Sequence, residues 1–319
     1  MIFSLKILGV NSAVPAHGRV PTSQVLRAHN HCFLIDCGEG AQIRMSQFGV
    51  GRGMIDRVFI SHLHGDHIFG LPGWLYSLSL FRRTKPLHIH APQAHLLKNM
   101  LDNLLAIQGE LGYEIHYYDA QVEPGNSLIV YEDEALTVQS IPLLHRVPTV
   151  GYVFREKPRL PNIIPEKIQA YKLSVDQILL AKNGHMVELS DGTLLHPSEL
   201  TLPPPPPRSY AYLSDTAYTE SVLPFIQGVD LLYHEATFAH ELLEHAKLTM
   251  HSTAAEAATI ASKAGVGTLI LGHYSSRYQD LSILLEEARS IFPNTVLGEE
   301  GREYQVPFRS ARKTHERLP

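Results

Sequence analysis

Residues 61 to 67 read "SHLHGDH", three histidines and one aspartate within seven positions, directly after the apolar run "RVFI" at 57 to 60. Imidazole nitrogens and carboxylate oxygens at this density are the donor set of a borderline divalent cation. His62 and His64 alternate as the chain leaves a strand, so both rings can reach one ion. Gly65 permits a turn, after which Asp66 and His67 can reach a second ion nearby. Two ions need further ligands, brought in from other strand ends. His145 closes "VQSIPLLH", Asp215 closes "SYAYLSD" and His273 closes "TLILGH". A lone histidine at a strand end is more often structural than ligating. One candidate in each expected place, beside the 61–67 cluster, makes coincidence hard to defend. Two ions about 3.5–4 Å apart can activate a water at neutral pH, with a carboxylate such as Asp66 as general base.

These residues need a scaffold that brings strand ends to one rim. "FSLKILGV", "CFLIDCG", "RVFISH", "LHIHAP", "EIHYYDA", "SLIVYED" and "LTVQSIPLLH" read as strands of mostly antiparallel order. Helical spacing of apolar residues occupies 40–49 and 93–107. The second half supplies "SYAYLSD", "VDLLYHEA" and "TLILGHY" as strands and a helix over 253–264, with Thr253 as cap and Glu256 closing a capping box. Both halves run strand, ligand-rich strand end, helix. That rhythm implies an α/β sandwich of two sheets flanked by helices, with the site at one edge.

Composition narrows the chemistry. At 319 residues the chain can bury one large core or two modest ones. A net charge of −5 gives no overall pull on nucleic acid, so any such partner needs a local basic feature. The two cysteines, Cys32 and Cys37, imply reduced, buried thiols and leave metal binding to His and carboxylates, which suits zinc or manganese. The opening "MIFSLKILGVNSAVPA" is interrupted by Lys6 and reads as a strand and loop rather than a signal peptide. No apolar run approaches the ~20 residues of a membrane span, so a cytoplasmic protein is expected.

From about 155 to 208 the periodicity weakens, and the segment closes on five consecutive prolines, 203 to 207, a stiff spacer. Residues 157 to 186 hold five basic side chains (Lys157, Arg159, Lys167, Lys172, Lys182) against Glu166 and Asp176, a local +3.

Taken together, "SHLHGDH", the isolated His145, "LSDT" (213–216), "HEATF" (234–238), "HST" (251–253) and "GHYSSRY" (272–278) resemble the metallo-β-lactamase superfamily, and more narrowly its ribonuclease Z branch of tRNA 3′-processing endonucleases. The likeness runs from the first strand to about residue 305. It implies a metallo-β-lactamase αββα sandwich over 1–319, with a protruding tRNA-binding arm at about 155–208 and a flexible basic tail at about 309–319. It implies two zinc ions per chain, or manganese or another divalent ion. His62, His64 and His145 would hold one, and Asp66, His67 and His273 the other, with Asp215 bridging and Asp36 orienting a ligand histidine. His251, held protonated by Glu235, would be the general acid. Precursor tRNA would be the substrate and a homodimer the assembly. The sequence departs from the family where Ser214 replaces the usual glycine, and where the arm tip "KLSVDQILLAKNGHM" lacks the family's Gly-Pro signature. The competing enzyme reading is a binuclear phosphodiesterase or arylsulfatase acting on small molecules. A metal-bearing RNA-binding module is the non-enzymatic one, and the intact seven-ligand set argues against it.

Overall fold

The apolar runs of the front half become strands with two buried faces, one packed on helices and one on a second sheet. The computed structural model describes residues 2–107, 109–306 and 308. In chain order the first strands are β1 (Phe3–Gly9), β2 (Ser23–Ala28), β3 (His31–Cys37), β4 (Arg57–Phe59), β5 (Leu87–Ala91) and β6 (Ile115–Asp119). Then come β7 (Leu128–Glu132), β8 (Leu136–Pro142) and β9 (Val150–Glu156), followed by the short β10 (Asn162–Ile163), β11 (Val187–Glu188), β12 (Leu194–Leu195) and β13 (Thr201–Leu202). The last are β14 (Ser209–Leu213), β15 (Leu231–Glu235), β16 (Thr268–Gly272), β17 (Thr295–Leu297) and β18 (Glu303–Gln305). One seven-stranded sheet runs β18-β1-β2-β3-β4-β5-β6 and the other β17-β16-β15-β14-β9-β8-β7.

Leu34, Val58, Ile60 and Ile89 pack with Trp74, Leu75, Leu97 and Leu101 of the helices Leu71–Leu80 and Ala94–Ala106. Their strand neighbours Phe33, Ile35 and Phe59 face Val138, Tyr152, Phe154 and Tyr210 of the other sheet. The helix Ala254–Ala264 covers that second sheet with Ala257, Ile260 and Ala261, and Thr253 and Glu256 form its capping box as expected. Each fully buried large apolar side chain contributes about 1.5–3 kcal/mol, and this apolar sandwich carries the polar rim built on it.

The expected antiparallel order holds only in part. β1–β2, β2–β3 and β7–β8 are antiparallel, but β3–β4, β4–β5 and β5–β6 are parallel, as are β14–β15, β15–β16 and β16–β17. The reason is in the connections. Helices Ala41–Gln47, Leu71–Leu80 and Ala94–Ala106 lie between consecutive strands, and such crossovers return the chain in the same direction. Parallel order has a functional consequence: Asp36, the 61–67 cluster, Asp215, Glu235 and His273 all lie at the carboxyl ends of β3, β4, β14, β15 and β16.

Residues 156–207 form a compact unit of their own. The weak periodicity of this segment conceals two short helices, Pro165–Tyr171 and Val175–Lys182, and the pairs β10–β13 and β11–β12. Leu173, Ala181, Val187, Leu195 and Leu200 make its small core, and Ser174 and Gln177 cap the second helix reciprocally. Helices of two turns are too short to show a period, which is why the sequence reads as irregular there. The expected basic tail at 309–319 lies outside the described residues. Among the described residues no helix is long and apolar enough to cross a membrane, and Cys32 and Cys37 are free and buried.

Candidate metal centre

Each residue expected as a metal ligand comes from a strand end or the turn that follows it. His62 follows β4, and Asp66 and His67 sit in the first turn of the helix Gly65–Ile68. His145 lies three residues beyond β8, Asp215 two beyond β14, and His273 directly after β16. Asp215 and His273, in the turns, and Asp36, where the β2–β3 register shifts, all adopt left-handed backbone, with φ of 54°, 57° and 53°. For a residue with a Cβ that conformation costs of order 1–2 kcal/mol, so the surrounding structure holds these three in place. Gly38 allows a close approach here: a Cβ on it would stand 2.4 Å from the carbonyl oxygen of Asp66.

The donors converge in two groups that share one carboxylate. Donor atoms of His62, His64, His145 and Asp215 lie within 4.8 Å of one another, as do those of Asp66, His67 and His273. Asp215 Oδ1 is 3.1 Å from both His67 Nε2 and His273 Nε2. Its Oδ2 is 3.6 Å from His62 Nε2 and 3.9 Å from His145 Nε2. Asp66 Oδ2 stands 3.6 Å from His67 Nε2 and 3.5 Å from His273 Nε2. All seven ligand candidates are thus brought together. The donors of Asp215, His251 and His273 form a third such grouping, but Nδ1 of His251 is engaged by Glu235.

Divalent metal fits this arrangement on the chemistry of the atoms themselves. Nε2 of His67 and of His273 are buried with no hydrogen-bond partner, and both aim at carboxylate oxygens. Burial pushes the Asp66 and Asp215 carboxyls towards the neutral acid. The facing imidazoles, led by His67 for Asp66 and by His273 for Asp215, outweigh it and hold both low. For His62, burial and then the neighbouring His67 hold the ring well below the usual imidazole range, so its nitrogen stays free to ligate. His67 is the opposite case: burial lowers its ring, but the Asp215, Asp66 and Asp36 carboxylates raise it well above the usual range, so a cation bound here takes the place of a proton among ionised carboxylates.

Around the donors is a shell of orienting contacts, most of which the sequence does not reveal. Asp36 is fully buried; its Oδ1 accepts from Ser61 N (2.7 Å), and its Oδ2 takes Ser61 Oγ (2.8 Å), Tyr212 Oη (2.5 Å) and His67 Nδ1 (2.7 Å). It therefore fixes the ring of His67, as expected. His145 Nδ1 lies 3.0 Å from the Met250 carbonyl oxygen, and the Ala13 backbone N–H donates to Asp66 Oδ2 at 2.7 Å. Ser214 is buried and donates to Asp215 Oδ1 at 2.9 Å. Backbone donors such as Ala13 N–H carry no sequence signal. Ser61 reaches Asp36 from the neighbouring strand's exit and Tyr212 from the opposite sheet, placements that the sequence does not show.

Glu235 is the last residue of β15 and is fully buried. Its Oε1 accepts from Thr216 N at 2.7 Å and meets His251 Nδ1 at 2.9 Å. Burial alone would push the His251 ring down, but the Glu235 carboxylate raises it to about 9. His251 thus keeps its proton at neutral pH. The centre opens into a cleft of about 320 Å³ lined by His64, Asp66, Arg146, Phe238, His251 and Arg277, among others. A larger cleft, about 420 Å³, lies along Leu78, Phe81, Arg83 and Lys85 and gathers no ligand cluster among the described residues. Chemistry, not size, identifies the site.

Comparison with known proteins adds names to this geometry. The family model described as anti-Pycsar protein Apyc1 matches residues 3–156. A ribonuclease Z of Bacteroides fragilis is 44% identical over 300 residues, covering 93% of this chain and 97% of that one. A ribonuclease Z of Parabacteroides distasonis is 43% identical over 306 residues, covering 95% of this chain and 99% of that one. The crystal structure of human tRNase Z, short form, has a TM-score of 0.69 at 24% identity, covering 96% of this chain and all 100% of that chain. A metallo-β-lactamase fold protein of Bacillus subtilis has a TM-score of 0.65 at 18% identity, covering 95% of this chain and 99% of that one, so these likenesses speak for that fold.

Asp36→Asn keeps the volume of the side chain but removes the charge on which His67 is oriented. Metal affinity should fall roughly 10- to 100-fold while the melting curve stays cooperative, read by metal content after dialysis against a graded chelator.

Proposed function

We propose a function from one premise: the chain belongs to the ribonuclease Z family. It is an endoribonuclease that removes the 3′ trailer from precursor tRNA, leaving a 3′-hydroxyl on the tRNA and a 5′-phosphate on the trailer. The observation that carries the reading is the pair of donor groups sharing Asp215, beside the Glu235–His251 pair. Two zinc ions would suit these donors: His62, His64 and His145 would hold one and Asp66, His67 and His273 the other, with Asp215 within reach of both groups; manganese or another divalent ion would suit the same residues. When bound, such ions supply Lewis acidity, lowering the pKa of a water towards ~7 and neutralising charge on the phosphoryl oxygens.

The chain's own groups do the rest. Asp66, pinned through Oδ2 by Ala13 N–H, accepts the proton of the attacking water. The water oxygen joins phosphorus and becomes part of the trailer's 5′-phosphate. The bond from phosphorus to the tRNA 3′-oxygen breaks, and His251 supplies the proton that makes it a hydroxyl. Glu235 holds His251 in orientation and protonated. Arg146 and Arg277 line the cleft and supply positive charge to the RNA backbone where the protein as a whole is acidic.

The compact unit 156–207 is the tRNA-binding arm in this reading. Its support is the local +3 over residues 157 to 186, although Arg159 is partly engaged by Glu156 at 2.9 Å. A homodimer and a cytoplasmic location belong to the same proposal, the latter supported by the free buried cysteines.

One assay series tests the reading, with precursor tRNA and a nitrophenyl phosphodiester as substrates. Asp66→Ala should abolish cleavage of both while tRNA binding stays within a few-fold; joint loss of binding and cleavage would make Asp66 structural. His251→Ala should slow precursor tRNA cleavage about 10²–10⁴-fold and nitrophenolate release far less, since a good leaving group needs no acid. The sign with pH follows: His251 donates only below about 9, so wild-type RNA cleavage falls as pH rises through about 9, and His251→Ala loses that fall. Deleting 160–200 should weaken tRNA binding and spare the small substrate. If precursor tRNA were uncut while the small diester was turned over, a small-molecule phosphodiesterase would replace the ribonuclease.

A further inference from the structure

β15 and β16 are parallel and in register, with Glu235 opposite Gly272. The next residues of each strand's exit are therefore neighbours, and Thr237 arrives beside His273. Thr237 is buried, and its single hydroxyl touches three groups. Its Oγ1 lies 2.5 Å from Glu235 Oε2, 3.0 Å from His273 Nδ1 and 2.9 Å from the His273 carbonyl oxygen. A hydroxyl has one proton to give and two lone pairs to share. Ionised Glu235 can only accept, and at 2.5 Å it is the shortest of the three contacts, so the threonine proton goes to Oε2. Of the two remaining neighbours the His273 carbonyl oxygen can only accept, so His273 Nδ1, the one able to carry a proton, is the donor to Oγ1. That assignment leaves the lone pair of His273 on Nε2, the buried atom that has no hydrogen-bond partner and stands 3.1 Å from Asp215 Oδ1.

We infer that Thr237 is a positioning residue that fixes the ring of His273 with its proton on Nδ1, and that it links this ligand to the Glu235–His251 pair through one carboxylate. Glu235 then serves two purposes. Oε1 orients the acid, and Oε2, through Thr237, orients a ligand of the second ion. A change at Thr237 is felt by the metal centre even on substrates that need no acid. The inference rests on the two-ion reading proposed above.

The test compares full-length wild type, Thr237→Val and Thr237→Ser, each titrated with zinc from the metal-free state and then assayed on the nitrophenyl phosphodiester. Valine keeps the shape and removes the hydroxyl; serine keeps the hydroxyl. Wild type and Thr237→Ser should bind two equivalents tightly. Thr237→Val should keep one tight equivalent and bind the second about 10- to 100-fold more weakly. At sub-saturating zinc its kcat on the diester should fall with KM little changed, and added zinc should restore it. The inference is overturned if Thr237→Val binds both equivalents as wild type does, or if Thr237→Ser is as impaired as valine, which would mark a packing role for the methyl group. Should wild type itself bind only one equivalent, the two-ion reading fails instead. Thermal melting of each metal-free variant separates unfolding from ligand loss, because only a structural role lowers the metal-free Tm along with the affinity.

Discussion

The carboxylate of Asp215 is the contact on which the site depends. Its two oxygens point in different directions, Oδ1 to His67 and His273 and Oδ2 to His62 and His145. Two donor groups that arise from separate strand ends become one centre only because this side chain reaches both. It does so from a left-handed backbone position just past β14, with Ser214 holding one oxygen. Burying carboxylates costs several kcal/mol each unless they are paired. Asp36, Asp215 and Glu235 are all buried here, and each faces at least one imidazole.

That balance explains why the scaffold is so apolar immediately beneath. The parallel strands β14, β15 and β16 are buried along nearly their whole length, so their backbones are held by ladder bonds and their exits are rigid. Rigid exits place Asp215, Glu235 and His273 without help from loops. On the other sheet β3 and β4 do the same for Asp36 and the start of the 61–67 cluster. The proposed general acid is the exception. His251 follows the helix Leu243–Thr249 rather than a strand, and its position depends on the buried Glu235 it pairs with.

Much of this was legible in the chain. His62, His64, Asp66 and His67 announce themselves by density, and His145, Asp215 and His273 by following apolar runs. Glu235 and His251 gain a role only from the family resemblance, because a glutamate after a strand and a histidine before a helix are common. Thr237, Ser61 and Tyr212 were not legible at all, since what they do depends on parallel register and on which strands are neighbours. The same register escaped the reading of the front strands as mostly antiparallel, although the helices between them carried the clue. The unit at 156–207 was hidden for a different reason: its helices are too short to show a period, and its core is only a handful of residues.

Whether Asp215 bridges two ions, as proposed, is open to direct observation. Crystals of the zinc-loaded protein, measured on either side of the zinc absorption edge, should show two anomalous peaks about 3.5–4 Å apart, one against each oxygen of Asp215. A single peak held by His62, His64 and His145, with Asp66 and His273 coordinating nothing, would contradict it.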